Sequence, residues 1–326
     1  MPVVLMSLPE ARWVWHRWQL RIRVKLPTSD APHHPRSFQS QSHRGGKLTR
    51  DCQYCAADEE ENIMNVFELK DRVAIVTGGG GTEHGTGRII AMALADAGVS
   101  VVLAGRLDSH LASVAKELNA QGAHTLSVPC DVTDPAQCAD LVAKTVAELG
   151  RLDILVNNAA TALMVDPLKL TGQQWRDSID VNLNGVFFSA QAAARHMVEQ
   201  GHGHIVNIAS SSGIKGDEHM APYAAAKAAV INLTRTLAIS WAIHNINVNC
   251  IAPGSIAVPD HDLTGIPQDE LLRQRAFLDQ NNPPIQQPGS PDDIADAVLF
   301  FASDGAAGMT GETLPVRGAE WASAYS

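Results

Sequence analysis

Tyr223-Ala-Ala-Ala-Lys227 sets a phenol and an ammonium four residues apart. On a helix, positions i and i+4 share one face, so the two groups lie side by side. A cation beside a tyrosine favours phenolate and is expected to draw its pKa down from the usual ~10 toward working pH. Tyr223 is then a general acid/base. The chain holds only three tyrosines, and a chance Tyr-x-x-x-Lys is expected only about 0.07 times, which disfavours an incidental surface pair. A second chemical element runs Thr77-Gly-Gly-Gly-Gly81, then Thr-Glu-His, then Gly85-Thr-Gly87-Arg88. Glycines let a backbone approach a pyrophosphate closely, and a following helix N-terminus offers N–H donors and positive dipole. Alone, such a run fits a flexible loop equally well. Its place between a first strand and a first helix favours a nucleotide.

Positioning these residues requires a regular frame. From residue 72, short β-branched runs alternate with helical patterns. Val73–Thr77, Ser100–Ala104, a run ending at Cys130, Asp153–Val156, His204–Ile208 and Ile246–Cys250 read as strands. Gly85–Ala97, Ser109–Ala120, Pro135–Leu149, about Thr171–Glu199 and Ala221–Ile243 read as helices. This alternation predicts an α/β fold, a doubly wound parallel sheet with helices on both faces. The ligand is then expected at the carboxyl edge of the strands, where strand order reverses.

Composition narrows the class. Of 326 residues, 45% are hydrophobic, enough for a core, which excludes general disorder. No run of 18 apolar residues occurs, against a membrane span. A formal net charge of −10 disfavours a general nucleic-acid binder, which needs surplus cations. Five cysteines, an odd number, do not read as a secreted disulfide framework and point to the reducing cytoplasm. Residues 1–63 differ from the rest, with a net charge near +2 and Trp13, Trp15 and Trp18 ahead of a Ser-, His- and Pro-rich stretch. They read as a poorly ordered extension before a single catalytic domain over 64–326. Other readings are a basic amphipathic helix carrying Arg12, Arg17, Arg21 and Arg23, or a zinc site at Cys52-x-x-Cys55, for which one pair is a weak signal. Met64, just ahead of the first strand, reads as a natural start; no metal site is expected.

Over about Phe67–Arg317 the chain resembles a short-chain dehydrogenase/reductase. Tyr223 and Lys227 match the family's Tyr-x-x-x-Lys, and Ser210 lies thirteen residues before the tyrosine, where the family has its serine. Asn182 in Asp180-Val-Asn-Leu-Asn matches the helix asparagine. Asn157-Asn-Ala-Ala160 stands for Asn-Asn-Ala-Gly, Asp131-Val132 follows the third strand, and Pro253-Gly254 follows the sixth. The resemblance implies a Rossmann-like sheet of about seven strands and hydride transfer between a nicotinamide cofactor and a secondary alcohol or ketone. Tyr223 exchanges the hydroxyl proton and Ser210 steadies the substrate oxygen. Lys227 holds the ribose, and Asn182 positions a water that links the lysine to solvent. Gly78, Gly85, Gly87, Arg106, Asp131, Val132, Asn158, Pro253 and Gly254, with Tyr223 and Lys227, are the implied cofactor contacts.

The chain departs from the family at several points. Six residues separate Gly78 from Gly85, where three are usual. Ala160 replaces a glycine, and its methyl is expected to crowd the cofactor side; Val258 replaces a frequent threonine. At the end of the second strand, where an NAD site places an acidic ribose acceptor, stands Gly105, followed by Arg106. A guanidinium pairs with a phosphate through two parallel hydrogen bonds, so NADP is expected over NAD. The competing roles for Arg106 are a cap on the strand or an ion pair with Asp108, and a Glu83 carboxylate folded toward the 2′ position would reverse the preference. About Ser255–Gly289 is expected to be a lid over a small alcohol or ketone, with His219 and Met220 as pocket walls. Arg273 and Arg275 are the lid's only basic side chains in 256–290, which argues against the alternative of a 3-oxoacyl thioester reductase. A catalytically decayed dinucleotide-binding scaffold is the other alternative. A homo-oligomer, tetramer or dimer, is implied by the resemblance, with Ala192, Ala193, Ala194, Ala224 and Ala228 expected on outward helix faces.

Overall fold

Val73–Thr77 (β1) is apolar at almost every position and buried throughout, as a strand covered on both faces must be. In chain order follow α1 (Thr86–Asp96), β2 (Ser100–Gly105), α2 (Asp108–Ala120), β3 (Thr125–Pro129), α3 (Pro135–Leu149) and β4 (Ile154–Asn157). The second half contains α4 (Gly172–Ile179), a π-helical turn (Asp180–Asn184), α5 (Gly185–Gln200), β5 (Gly203–Ile208), α6 (Ser212–Lys215) and α7 (Ala221–Trp241). It closes with a 3₁₀ turn (Ala242–His244), β6 (Ile246–Pro253), α8 (Pro291–Ala302) and β7 (Thr313–Val316). The computed structural model describes residues 67, 69–81, 85–254 and 289–316. Expectations for residues 1–63, Glu83, Val258, Arg273, Arg275 and the 255–288 part of the lid fall outside these. The chain divides at Asn65–Val66 into two units, of which only the second is described.

The strands form one seven-stranded sheet in the order β3-β2-β1-β4-β5-β6-β7, parallel at every pairing. Strand order reverses between β1 and β4, which opens a crevice at their carboxyl ends. Alternate strand residues feed two cores. Ala74, Val76, Val101, Leu103, Ile154 and Val156 pack with α1, α2 and α8 through Ile90, Leu94, Leu118, Val298 and Phe301. Val73, Ile75, Val102, Leu155 and Ile205 pack on the other face with Leu141 of α3, Met197 of α5 and Leu237 of α7. A side-chain period of two on a flat strand dictates this partition.

The expected Thr171–Glu199 helix is α4 and α5 joined by the π turn around Asn182, a local widening of the ladder that tends to mark functional positions. β6 runs to Pro253, three residues past the expected end, because its tail pairs with β7. The α8 start carries a capping box, Ser290 with Asp293, and Pro291 in the first turn; this legible signal defines a helix the sequence reading omitted.

Ala192, Ala193, Ala194 and Ala224 are buried within the protomer, not outward as expected. Small side chains there let α5 and α7 settle closely on the sheet. Only Ala228 of that set is exposed. The outward apolar side chains of this region are Ile239 and Ile243, 82% and 86% exposed.

Candidate active site

β5 ends at Ile208, and the chain then turns through Ser210 and Ser211 into α6. This turn is anchored from two sides. The Ser211 N–H donates to Pro253 O at the end of β6 (2.7 Å), and the Ser212 N–H donates to Ser210 Oγ (3.1 Å). Gly213 admits close packing of α6 on α7, since a Cβ there would stand 2.6 Å from the Lys227 carbonyl carbon. Ser210 is thereby brought against α7, close enough for its hydroxyl to favour the ionised form of the Tyr223 phenol. One turn on, Lys227 is 1% exposed. Its Nζ donates to Ile208 O (2.7 Å) and lies 5.5 Å from the Tyr223 ring centroid. Ser210, Tyr223 and Lys227 are thus assembled at the carboxyl edge of β5.

The electrostatics differ from the expected lowering of the tyrosine. Burial pushes the Tyr223 phenol above its ordinary 10; the Ser210 hydroxyl pulls it back, and the Asp217 carboxylate raises it further. Burial also pulls the Lys227 ammonium from 10.5 down to about 8, with Cys250 opposing. Both residues sit in a poorly solvated pocket that disfavours either charged form, so desolvation outweighs their mutual attraction. Tyr223 is a protonated phenol poised as an acid.

Asn182 is fully buried in the π turn. Its Nδ2 donates to Thr161 O (2.8 Å) and Ser178 O (2.9 Å), and its Oδ1 accepts from the Thr161 N–H. The side chain clamps the segment after β4 to the π turn. Beneath the site runs a buried chain absent from the sequence reading. Asn157 Nδ2 donates to Asn207 Oδ1 (2.9 Å), and Asn207 Nδ2 donates to Thr234 Oγ1 (3.0 Å). It locks β4, β5 and α7 in register; two asparagines at matching strand ends were its only signal.

The glycine loop meets β4 through Thr77 and Asn158. Thr77 Oγ1 accepts from the Asn158 and Ala159 N–H groups, while Asn158 Nδ2 donates to Thr77 O (3.0 Å). Gly78 turns with φ +69°, a conformation natural to glycine. A Cβ on Gly87 would lie 2.2 Å from Gly78 O, so α1 can start this close only with glycine there. Gly85 is the residue before α1. Ala160 is exposed, with no positive φ, so its own backbone conformation does not require glycine.

A cavity of about 180 Å³ lies beside this loop, lined by Gly78, Gly80, Gly81, Gly105, Arg106, Leu107, His110 and Leu111. The bare glycine backbone and the adjacent guanidinium fit the adenosine end of a dinucleotide. Arg106 is exposed and forms no ion pair with Asp108, which removes that one of its two competing roles. Asp131, Val132, Asn158, Pro253 and Gly254 stand at neighbouring strand ends without lining that cavity. Asp131 Oδ1 accepts from the Thr133 N–H and hydroxyl, and Val132 is pressed against Gly185. The Gly254 N–H donates to Val316 O, tying β6 to β7. His219 is half exposed, and its carbonyl accepts from the Val165 N–H (2.8 Å).

A parallel sheet whose switch point holds a glycine loop on one side and a Ser-Tyr-Lys set on the other defines a nucleotide-dependent oxidoreductase. Residues 79–318 match the family model described as Enoyl-(Acyl carrier protein) reductase. The chain is 37% identical over 257 residues to 2-dehydro-3-deoxy-D-gluconate 5-dehydrogenase of Dickeya dadantii, covering 78% of this chain and 98% of the relative. It is 38% identical over 247 residues to a 3-oxoacyl-[acyl-carrier-protein] reductase of Staphylococcus aureus, covering 75% and 96%. A solved short-chain type dehydrogenase/reductase from Mycobacterium marinum superposes with TM-score 0.70 at 33% identity, covering 78% of this chain and 97% of the other. The chain belongs to the short-chain dehydrogenase/reductase family. It is an NAD(P)-dependent oxidoreductase acting between alcohol and ketone.

Proposed function

We propose that Ser210, Tyr223 and Lys227 carry this reaction on a small secondary alcohol or ketone, with NADP as the preferred cofactor. The gathering of Ser210, Tyr223 and buried Lys227 at the end of β5 carries the assignment. Ser210 Oγ accepts from the Ser212 N–H, so the hydroxyl proton is left to donate to the substrate oxygen. Tyr223 gives its proton to the same oxygen in reduction and recovers it in oxidation. The bound nicotinamide supplies or takes the hydride. Residues 64–326 act as one catalytic domain, in the reducing cytoplasm that the free thiols of Cys130, Cys138 and Cys250 suit. A redox screen over alcohols and ketones, followed at the nicotinamide absorbance, tests the assignment; cofactor binding without turnover of any member would leave the scaffold reading.

The preference for NADP rests on Gly105 and the exposed Arg106 lining the cavity. Arg106→Ala is expected to weaken NADP by ~1–3 kcal/mol, the worth of a charged hydrogen bond, and to leave NAD nearly unchanged. The two cofactors' kcat/KM in wild type and variant check this, and a wild-type preference for NAD would sink it.

The protein is also proposed to form a homo-oligomer. Ile239 and Ile243 stand one turn apart at the end of α7 and its 3₁₀ extension, almost fully exposed. A neighbouring subunit would cover them. Light scattering at micromolar concentration is expected to give a dimer or tetramer, and Ile239→Glu with Ile243→Glu to shift it toward monomer; a monomeric wild type defeats the idea.

A further inference from the structure

The segment between the catalytic serine and the catalytic tyrosine carries a charge that the proton chemistry does not require. After α6, Gly216 takes φ +84° and reverses the chain. The reversal returns Asp217 to the start of α6, where Ser212 Oγ donates to Asp217 Oδ2 (3.0 Å). Ser212 is also the residue whose N–H holds Ser210 Oγ, and Ser210 is close enough to Tyr223 to favour its ionised form. Two hydrogen bonds therefore link the serine beside the reacting phenol to an exposed carboxylate. Only Oδ2 takes part in that chain, which leaves Oδ1 able to accept from a ligand. Asp217 is close enough to act on the tyrosine, since its charge opposes ionisation of Tyr223.

From this chain of contacts we infer that Asp217 is a specificity-determining residue, favouring substrates that present a neutral hydroxyl or a cationic group beside the reacting carbon and rejecting those that present a carboxylate there. The inference deepens the proposed function and rests on the reading of Tyr223 as the proton donor. Asp217 offers an acceptor and a negative charge, both complementary to a hydroxyl or ammonium donor. A substrate carboxylate has no proton to offer, and meets like charge near a poorly solvated centre. Lys227 is turned to Ile208 O, and on the same segment as Asp217 the side chains of Lys215, Glu218 and His219 are exposed. Glu218 pairs with His219 at 3.8 Å. Asp217 is tied by hydrogen bonds through Ser212 to Ser210.

The test separates charge from positioning. Asp217→Asn keeps an oxygen that can accept from Ser212 Oγ and removes only the charge. A panel of polyhydroxy ketones and size-matched keto-carboxylates is assayed with wild type and variant. Wild type is expected to prefer the neutral members. Asp217→Asn is expected to raise kcat/KM for keto-carboxylates relative to neutral partners by ~3–10-fold, the range for a partly screened charge, mostly through KM. It should also move the basic limb of the pH profile to lower pH, an effect that loss of a purely structural tie would not produce. A ratio unchanged within twofold, or a wild type that prefers carboxylates, overturns the inference and leaves the oxidoreductase reading standing. Turnover of no panel member while cofactor binds overturns both.

Discussion

Tyr223→Phe is expected to cut turnover by ~10²–10⁴, the contribution of a positioned general acid/base, with cofactor affinity and Tm near wild type. The phenyl ring keeps the packing on α7 and loses only the hydroxyl beside Ser210. No other group described at the site replaces it as a proton donor. Ser210 is an ordinary alcohol, and Lys227 is turned to Ile208 O. Because burial raises the Tyr223 phenol above 10, the wild-type site holds its proton at neutral pH. Reduction should therefore hold its rate across neutral pH and decline on the alkaline side as the proton is lost, whereas oxidation should accelerate as pH rises. Near-wild-type turnover by the variant on any accepted substrate would remove Tyr223 from its role.

The second large effect is a separation of activity from stability at Lys227. Lys227→Met keeps the volume and apolar stem and deletes the ammonium. Turnover is expected to fall by ~10²–10³, as for loss of one preorganised electrostatic group. Stability should not fall with it. The ammonium titrates at 10.5 in the unfolded chain and at about 8 in the fold. Below pH 8 both states hold the proton, and the folded state bears the whole cost of burying the charge, about 3 kcal/mol at ~1.4 kcal/mol per pKa unit. Between pH 8 and 10.5 the unfolded state holds more protons, so stability rises with pH, and above 10.5 the cost is gone. Methionine escapes that cost and instead leaves Ile208 O without its donor, which costs ~1–3 kcal/mol. At pH 7 the variant should thus unfold at a Tm equal to or above wild type, and the lysine's rise in stability over pH 8–10.5 should vanish. A clear drop in Tm at pH 7 would show instead that the ammonium is a net structural tie.

Local pattern was enough for much of this molecule. Continuous apolar runs such as Val73–Thr77 can only be strands covered on both faces, and their alternation with helices dictates a parallel sheet. The four-residue spacing of Tyr223 and Lys227 put them on one side of α7, because helical geometry is a property of the chain itself. Ser210 and the glycine loop were found by matching ordered motifs. The cap before α8 was legible but passed over, and the π turn had no local signature.

What the tertiary structure alone decided depends on solvent and on distant partners. The spacing of Tyr223 and Lys227 suggested a lowered phenol, yet burial by other elements raises it, since desolvation is set by everything packed around a group. Ala192, Ala193, Ala194 and Ala224 were buried within their own protomer, because which side of a helix is covered depends on where the next element lands. Asn182 was spent on Thr161, a partner 21 residues away. Asp217 was indistinguishable from any loop carboxylate until Gly216 and Ser212 placed it two hydrogen bonds from the serine beside the reacting phenol. Spacing along the chain determined which groups share an element; only folding determined their solvation and partners, and those set their charge.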